Sequence, residues 1–193
     1  MARAIGIDLG HDRSVVAAVC QGKPCPLPDE TGSPFTPAGL TVAAERHLPS
    51  AQTGEPAFSW AGDDTPIRKG QHRYSRRELG ALHLLRLRLL AEQALGQPVG
   101  RAVLTVPVTA SQKHLRALRD MADLAGLAPL RLVHQPLAAL VHRLAGASST
   151  PRTLLAFGFG LYHLDVVVAR YLPGAVTVLG LAGADWAGDE LTN

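Results

Sequence analysis

Ile5-Gly6-Ile7-Asp8-Leu9-Gly10 is the first stretch whose residue types suggest chemistry. An apolar strand there delivers a carboxylate and a glycine into a tight turn. Such a turn aims backbone amides at a phosphate, and its carboxylate can hold a water on a divalent cation. An acid before a glycine is equally ordinary hairpin chemistry. A second stretch, 65–90, carries Arg68, Lys69, Arg73, Arg76, Arg77, Arg86 and Arg88 against the single acid Glu78. It is +6 in a chain of net charge +3, which leaves −3 for the remainder. That charge either attracts phosphate backbones and acidic surfaces or forms a solvated loop and helix face. Only Tyr74 offers the aromatic interleaving that single-strand binding uses. His11 beside Asp12 lacks further ligands at metal spacing, so no metal site is expected. His134 and His142 read as surface or internally bonded histidines, and Trp60 and Trp186 as packing residues. Cys20 and Cys25 fit neither a zinc site nor a disulfide scaffold and point to a reducing compartment.

These groups need a scaffold, and composition bounds it. A chain of 193 residues, 47% hydrophobic and 18% charged, can bury a core and is neither a disordered tail nor a coiled coil. Fourteen prolines and nineteen glycines exclude a bundle of long helices. No apolar run reaches the ~18 residues of a membrane span, and Asp8 inside the first apolar stretch argues against a signal peptide. A soluble, globular, cytoplasmic protein is expected.

The pattern predicts strands over 4–7, 14–20 and 24–27, the last two joined at Gln21-Gly22-Lys23. A loop over 28–37, a strand over 39–43 and a polar, irregular segment over 44–74 follow. Ser75 and Glu78 have capping-box spacing, and Leu79, Leu82, Leu85, Leu89 and Leu90 recur at helical spacing, giving a helix over 76–95 stopped by Gly96. A strand over 101–106 ends at Pro107. Ser111 caps a second helix with Leu115, Leu118, Ala122 and Leu124 or Ala125 inside and Gly126 as its stop. A strand over 130–133 leads to a third helix with Pro136 in its first turn and its end near Gly146. Strands over 153–157, 164–171 and 175–181 follow a linker at 147–152, with Pro173-Gly174 turning the last pair. The order β-β-β-α-β-α-β-α therefore starts over as β-β-β, the layout of a ribonuclease-H-like α/β unit and the opening of a second. Three strands with a bare apolar face are marginal alone, so either something covers that face or the chain is a fragment.

Ala102-Val103-Leu104-Thr105-Val106-Pro107, Ala125-Gly126-Leu127, Leu130-Arg131-Leu132-Val133 and His134-Gln135-Pro136-Leu137-Ala138-Ala139 belong to a gapless run of about 40 positions. The run resembles the 70-kDa heat-shock chaperones of the DnaK type, whose pattern is a V-I-T-V-P strand, a helix ending A-G-L, and L-R-I-I-N-E-P-T-A-A-A. With I-G-I-D-L-G, the hairpin Gly22-Lys23-Pro24 and the loop Thr36-Pro37, the likeness covers most of 3–145. Residues 153–193 resemble the family's second phosphate strand and its G-G-E-D-F-D element, here Ala187-Gly188-Asp189-Glu190-Leu191-Thr192. The resemblance implies an α/β, actin-like ATPase (ribonuclease-H-like) fold that clamps ATP and magnesium between two lobes. It implies lobe I at 1–146 with 44–74 a shortened insertion, a linker at 147–152, and the opening strands of a truncated lobe II at 153–193.

The resemblance also assigns site positions. The family's first phosphate loop, D-L-G-T-T-N/Y-S, is here Asp8-Leu9-Gly10-His11-Asp12-Arg13-Ser14. Asp8 remains as a catalytic remnant and Gly10 is kept, but both hydroxyls are gone. Asp12 adds negative charge, and His11 and Arg13 could supply counter-charge. The acid of N-E-P is Gln135. The second loop, F-D-L-G-G-G-T-F-D-V, aligns with 157–166: its acid is Gly158, its first glycine is Gly160, its other glycines are Leu161 and Tyr162, and its threonine is His163. The catalytic lysine has no clear counterpart, with Lys69 a candidate by proximity only.

Phosphoryl transfer rests on positioning and charge stabilisation, and losing one such group costs on the order of 10²–10³ in rate. Their joint loss predicts a pseudo-ATPase. The expected protein is a heat-shock 70 kDa-type nucleotide-binding domain that binds ATP or ADP with magnesium weakly or not at all. It acts through co-chaperones or client proteins in protein folding. The stretch Leu132-Val133-His134-Gln135-Pro136-Leu137-Ala138-Ala139-Leu140 is similar to atypical ribosome-associated members, which work with a J-domain co-chaperone. That likeness would give 65–90 a ribosomal RNA or acidic target. The alternatives are a working ATPase in which His163, Arg13 or Lys69 replaces the lost groups, and a decayed copy with no activity.

Overall fold

The computed structural model describes residues 3–42, 49–56, 66–69, 72–145, 150–160 and 163–185. Trp60, Leu161, Tyr162, Trp186 and the 187–192 element lie outside them. The elements run β1 (Arg3–Leu9), β2 (Arg13–Cys20), β3 (Lys23–Leu27), β4 (Thr36–Pro37), β5 (Gly39–Val42), β6 (Pro49–Pro56), β7 (Ile67–Lys69), β8 (His72–Tyr74), α1 (Arg76–Leu95), β9 (Val99–Val106), α2 (Gln112–Leu124), β10 (Ala128–His134), α3 (Gln135–Leu144), β11 (Arg152–Phe159), β12 (Leu164–Leu172) and β13 (Ala175–Ala184). They divide into two compact units, Met1–Leu104 with Ser111–Leu132, and Thr105–Ala110 with Val133–Asn193.

In the first unit, alternation along β1 puts Ile5, Ile7 and Leu9 on one face, all buried. β1 pairs in parallel with β9 and antiparallel with β2, in a sheet ordered β10-β9-β1-β2-β3. The register lines up Leu104, Ile7, Val16 and Leu27 as one buried row across four strands. The β2–β3 turn holds Gln21 at φ 52° and Gly22 at φ 78°, the left-handed pair whose twist matches a hairpin.

α1 begins as expected: Ser75 Oγ accepts from Glu78 N (3.1 Å), and the Glu78 carboxylate accepts from Ser75 N (2.7 Å). Donation from the Ser75 amide and then its hydroxyl holds the Glu78 carboxyl below the usual range. The helix ends at Gly96. Ser111 caps α2 through a box closed by His114, whose Nδ1 takes the place of a carboxylate and accepts from Ser111 N at 3.3 Å. The two helices approach closely at Gly80, where any Cβ would collide with the Met121 sulfur. Arg88 donates to the Ala125 carbonyl at 2.8 Å.

The expected face of the first helix needs correction. The buried stripe of α1 runs through His83, Leu84, Arg86 and Leu87, while Leu82 and Leu85 are half-buried and Leu89 is exposed. At the end of α2 the structure decides between the two expected inward positions: Ala125 is buried and Leu124 is exposed. The polar side chains turn inward on α1 because partners await them there: buried Ser14 on the sheet for His83, and Glu30 and the Pro37 carbonyl of the 28–37 loop for Arg86. The segment 44–74 is likewise less irregular than expected, since β5 pairs with β6 and β7 with β8.

In the second unit β11, β12 and β13 form an antiparallel meander. α3, expected as the last element of lobe I, groups with this sheet: Leu140 packs with Val167 and Ala169, flanked by Leu144, Leu154, Ala156 and Val176. The opposite face carries Leu155, Phe157 and Phe159, exposed at 63%, 64% and 62%. Among the described residues no helix is long and apolar enough to cross a membrane.

Candidate functional site

In the first unit the last β1–β2 pair, Leu9 with Ser14, encloses the turn Gly10–Arg13. A Cβ on Gly10 would collide with the Arg13 carbonyl oxygen, so the turn closes to a degree only glycine permits. Asp8 is exposed at the end of β1. Asp12 Oδ2 accepts from Arg13 Nε (3.1 Å) and from its terminal nitrogen (3.0 Å), and the guanidinium lies 5.5 Å from the centre of the Phe35 ring. The predicted counter-charge of Arg13 is therefore engaged by the neighbouring acid, and the pair adds no net charge.

The turn is braced from behind by groups that sequence reasoning did not single out. Ser14 Oγ lies 2.9 Å from His83 Nε2, and both side chains are buried. Burial, then the nearby Arg86 cation, lowers the His83 pKa to about 4, so the imidazole is neutral. Arg86, also buried, donates to Glu30 (3.2 Å) and to the Pro37 carbonyl (3.5 Å). Burial works to raise the Asp29 pKa. Hydrogen bonds from the hydroxyl and amide of Thr31 and the amide of Ser33, with Arg86, outweigh it and hold that carboxyl below the usual range. The 28–37 loop so fixed returns to the turn, where β4 pairs with Arg13 and Ser14 and Ala38 N donates to the Asp12 carbonyl. A signal was present: His83 lies four residues from both Leu79 and Leu87, inside the helical stripe.

In the second unit Gly160 N donates to the His163 carbonyl (2.8 Å), closing the loop between Phe159 and Leu164. The His163 ring lies against Gly160, where a Cβ would come within 3.0 Å of it. Its Nε2 is 3.0 Å from Gln135 Oε1, so two positions assigned in separate stretches meet. The same nitrogen is 3.8 Å from Asp165 Oδ2. Asp165 is buried and its Oδ1 accepts from Val108 N at 2.9 Å. Burial pushes its carboxyl up, against the opposing pull of the Val108 amide, His163 and His134, with Asp185 adding to the rise. Its sequence signal is the aspartate inside the strand's Leu164-Asp165-Val166, where an acid on an apolar strand marks a buried carboxyl.

The basic stretch separates into parts. Arg86 faces inward, Arg88 bonds Ala125 and lies 3.6 Å from Glu92, and Arg77 pairs with Asp120 at 3.3 Å. Arg68 and Arg73 are exposed and directly opposite each other on the β7–β8 hairpin. Lys69 belongs to β7. His11 is half-buried within the first turn.

A family model described as Hsp70 protein matches residues 61–190. The chain belongs to the Hsp70 family. Its mixed α/β architecture is that of the Hsp70 actin-like ATPase fold, and the likeness is to the nucleotide-binding domain. The chain is 30% identical over 199 aligned positions to the chaperone protein DnaK of Cenarchaeum symbiosum (strain A), an alignment covering 95% of this chain. It spans 30% of the length of that Hsp70 relative.

Proposed function

We propose that this Hsp70-type domain is a pseudo-ATPase: it binds ATP or ADP weakly or not at all, does not hydrolyse ATP, and works through co-chaperones or client proteins in cytoplasmic protein folding. The supporting observation is the state of its charged groups. At the first turn Asp12 and Arg13 neutralise one another, and in the second unit Gln135, neutral where the family has an acid, is bonded to His163. The close approach of Gly10 to the Arg13 carbonyl supports reading this turn as a former phosphate loop. The charges around it do not suit magnesium and a triphosphate, so no hydrolytic step is assigned to these residues. An active ATPase would need Arg13, His163 or Lys69 as substitutes, and the first two are already engaged. In this reading 1–146 is lobe I, 147–152 a linker and 153–193 the opening of lobe II. The net +6 of 65–90 supports a contact with ribosomal RNA, as in atypical ribosome-associated members.

The test is phosphate release from Mg-ATP alongside calorimetric titration. No turnover above buffer is expected. Turnover that Asp8→Asn abolishes would defeat the pseudo-ATPase reading.

A further inference from the structure

Resting on the RNA reading of 65–90, we propose that the face of the β7–β8 hairpin bearing Arg68 and Arg73 is a clamp for the phosphodiester backbone of nucleic acid. The register sets these arginines directly opposite one another. Opposed side chains on antiparallel strands have Cβ atoms roughly 4.5–5.5 Å apart, and like charges placed so weaken the pairing. The hairpin has three residues in each strand, and among the described residues no third strand joins its sheet, so it has little stability in reserve. An anion between the guanidiniums turns this repulsion into two attractions.

The neighbouring cations contrast with this pair. Arg77 has Asp120, Arg86 has Glu30 and Arg88 has Glu92, whereas among the described residues no carboxylate pairs with Arg68 or Arg73. Residues 66–77 contain five Lys or Arg and no acid. Planar guanidinium forks match phosphate oxygens two at a time. Tyr74, by strand alternation, falls on the face opposite the arginines. The clamp face therefore lacks both an aromatic for base stacking and the apolar centre typical of a protein interface. The contact it can make is with the backbone and is independent of sequence.

The test is fluorescence anisotropy of the whole chain with labelled single-stranded RNA over a salt series, fold being checked by circular dichroism. The double variant Arg68→Gln/Arg73→Gln is expected to lower the log–log salt slope by about 1.4, from two contacts at roughly 0.7 each. Arg68→Lys/Arg73→Lys, which keeps charge and hairpin, is expected to keep the slope and lose affinity. RNA binding that neither double variant alters overturns the clamp and leaves the broader RNA reading standing. No RNA binding by the parent chain overturns both. Polyglutamate of equal length displacing RNA as well as RNA itself assigns the face to an acidic protein and overturns the nucleic-acid proposal.

Discussion

β1 and β11 are the same kind of strand with different fates. Each places apolar residues one, three and five positions before a glycine: Ile5, Ile7 and Leu9 before Gly10, and Leu155, Phe157 and Phe159 before Gly160. Each turns back through a loop of equal length, between Leu9 and Ser14 in one case and Phe159 and Leu164 in the other. The first triplet is 3%, 1% and 1% exposed; the second exceeds 60% throughout. Fully burying such a side chain contributes roughly 1.5–3 kcal/mol. The local strand-and-turn geometry thus forms without the burial, and the burial depends on what the rest of the chain lays over it.

Exchanging matched positions tests this most severely. Ile7→Ala is expected to cost about 2–5 kcal/mol through lost transfer energy and a cavity, read by urea denaturation. Phe157→Ala at the equivalent place is expected to stay within about 0.5 kcal/mol and to lower the binding of an apolar dye. Equal losses at both positions would mean that the second face is covered, and the contrast would disappear.

Titration distinguishes the units next. His83, lowered to about 4, takes up a proton on unfolding, so its contribution is full above the unfolded value near 6.5 and is lost as pH falls towards 4. That loss is about 3 kcal/mol, and His83→Gln should remove it from a stability–pH profile. Asp165 has the opposite sign. Its raised pKa makes its contribution greatest below the ordinary carboxylate value and erodes it as pH rises through the folded value. Asp165→Asn should therefore flatten the fall in the second unit's profile that begins as pH rises past the ordinary carboxylate value, followed by hydrogen exchange of β12 amides.

Caps give a smaller contrast. Ser75→Ala is expected to cost about 1 kcal/mol in thermal denaturation. α3 begins at His134 without a side-chain cap, so His134→Ala should cost a few tenths at most. Arg77→Ala, which breaks an ion pair half-exposed on both sides, should change stability by less than about 1 kcal/mol.

What the sequence disclosed follows the range of the interactions. Ser75 with Glu78, Ser111 at the head of α2 and the Gln21-Gly22 turn are local chemistry, legible from a few neighbouring residues. β6 was hidden because Pro49–Pro56, P-S-A-Q-T-G-E-P, has one β-branched residue and no apolar alternation. The leucine spacing of α1 misleads because His83 and Arg86 find partners 69 and 56 positions away, in buried Ser14 and in the exposed carboxylate of Glu30. At the candidate site the glycine turns were readable. The engagement of Arg13 by Asp12 and of His163 by Gln135 depends on side-chain placement, which spacing does not encode.

The crossing of α1 and α2 imposes an order on change. With the Met121 sulfur seated where a Gly80 side chain would begin, alanine at 80 is accepted only if the Met121 thioether swings aside or position 121 shrinks. Shrinking 121 leaves room that a new methyl at 80 could fill. The two positions are therefore coupled, and a side chain gained at 80 is best tolerated together with a smaller or re-aimed one at 121.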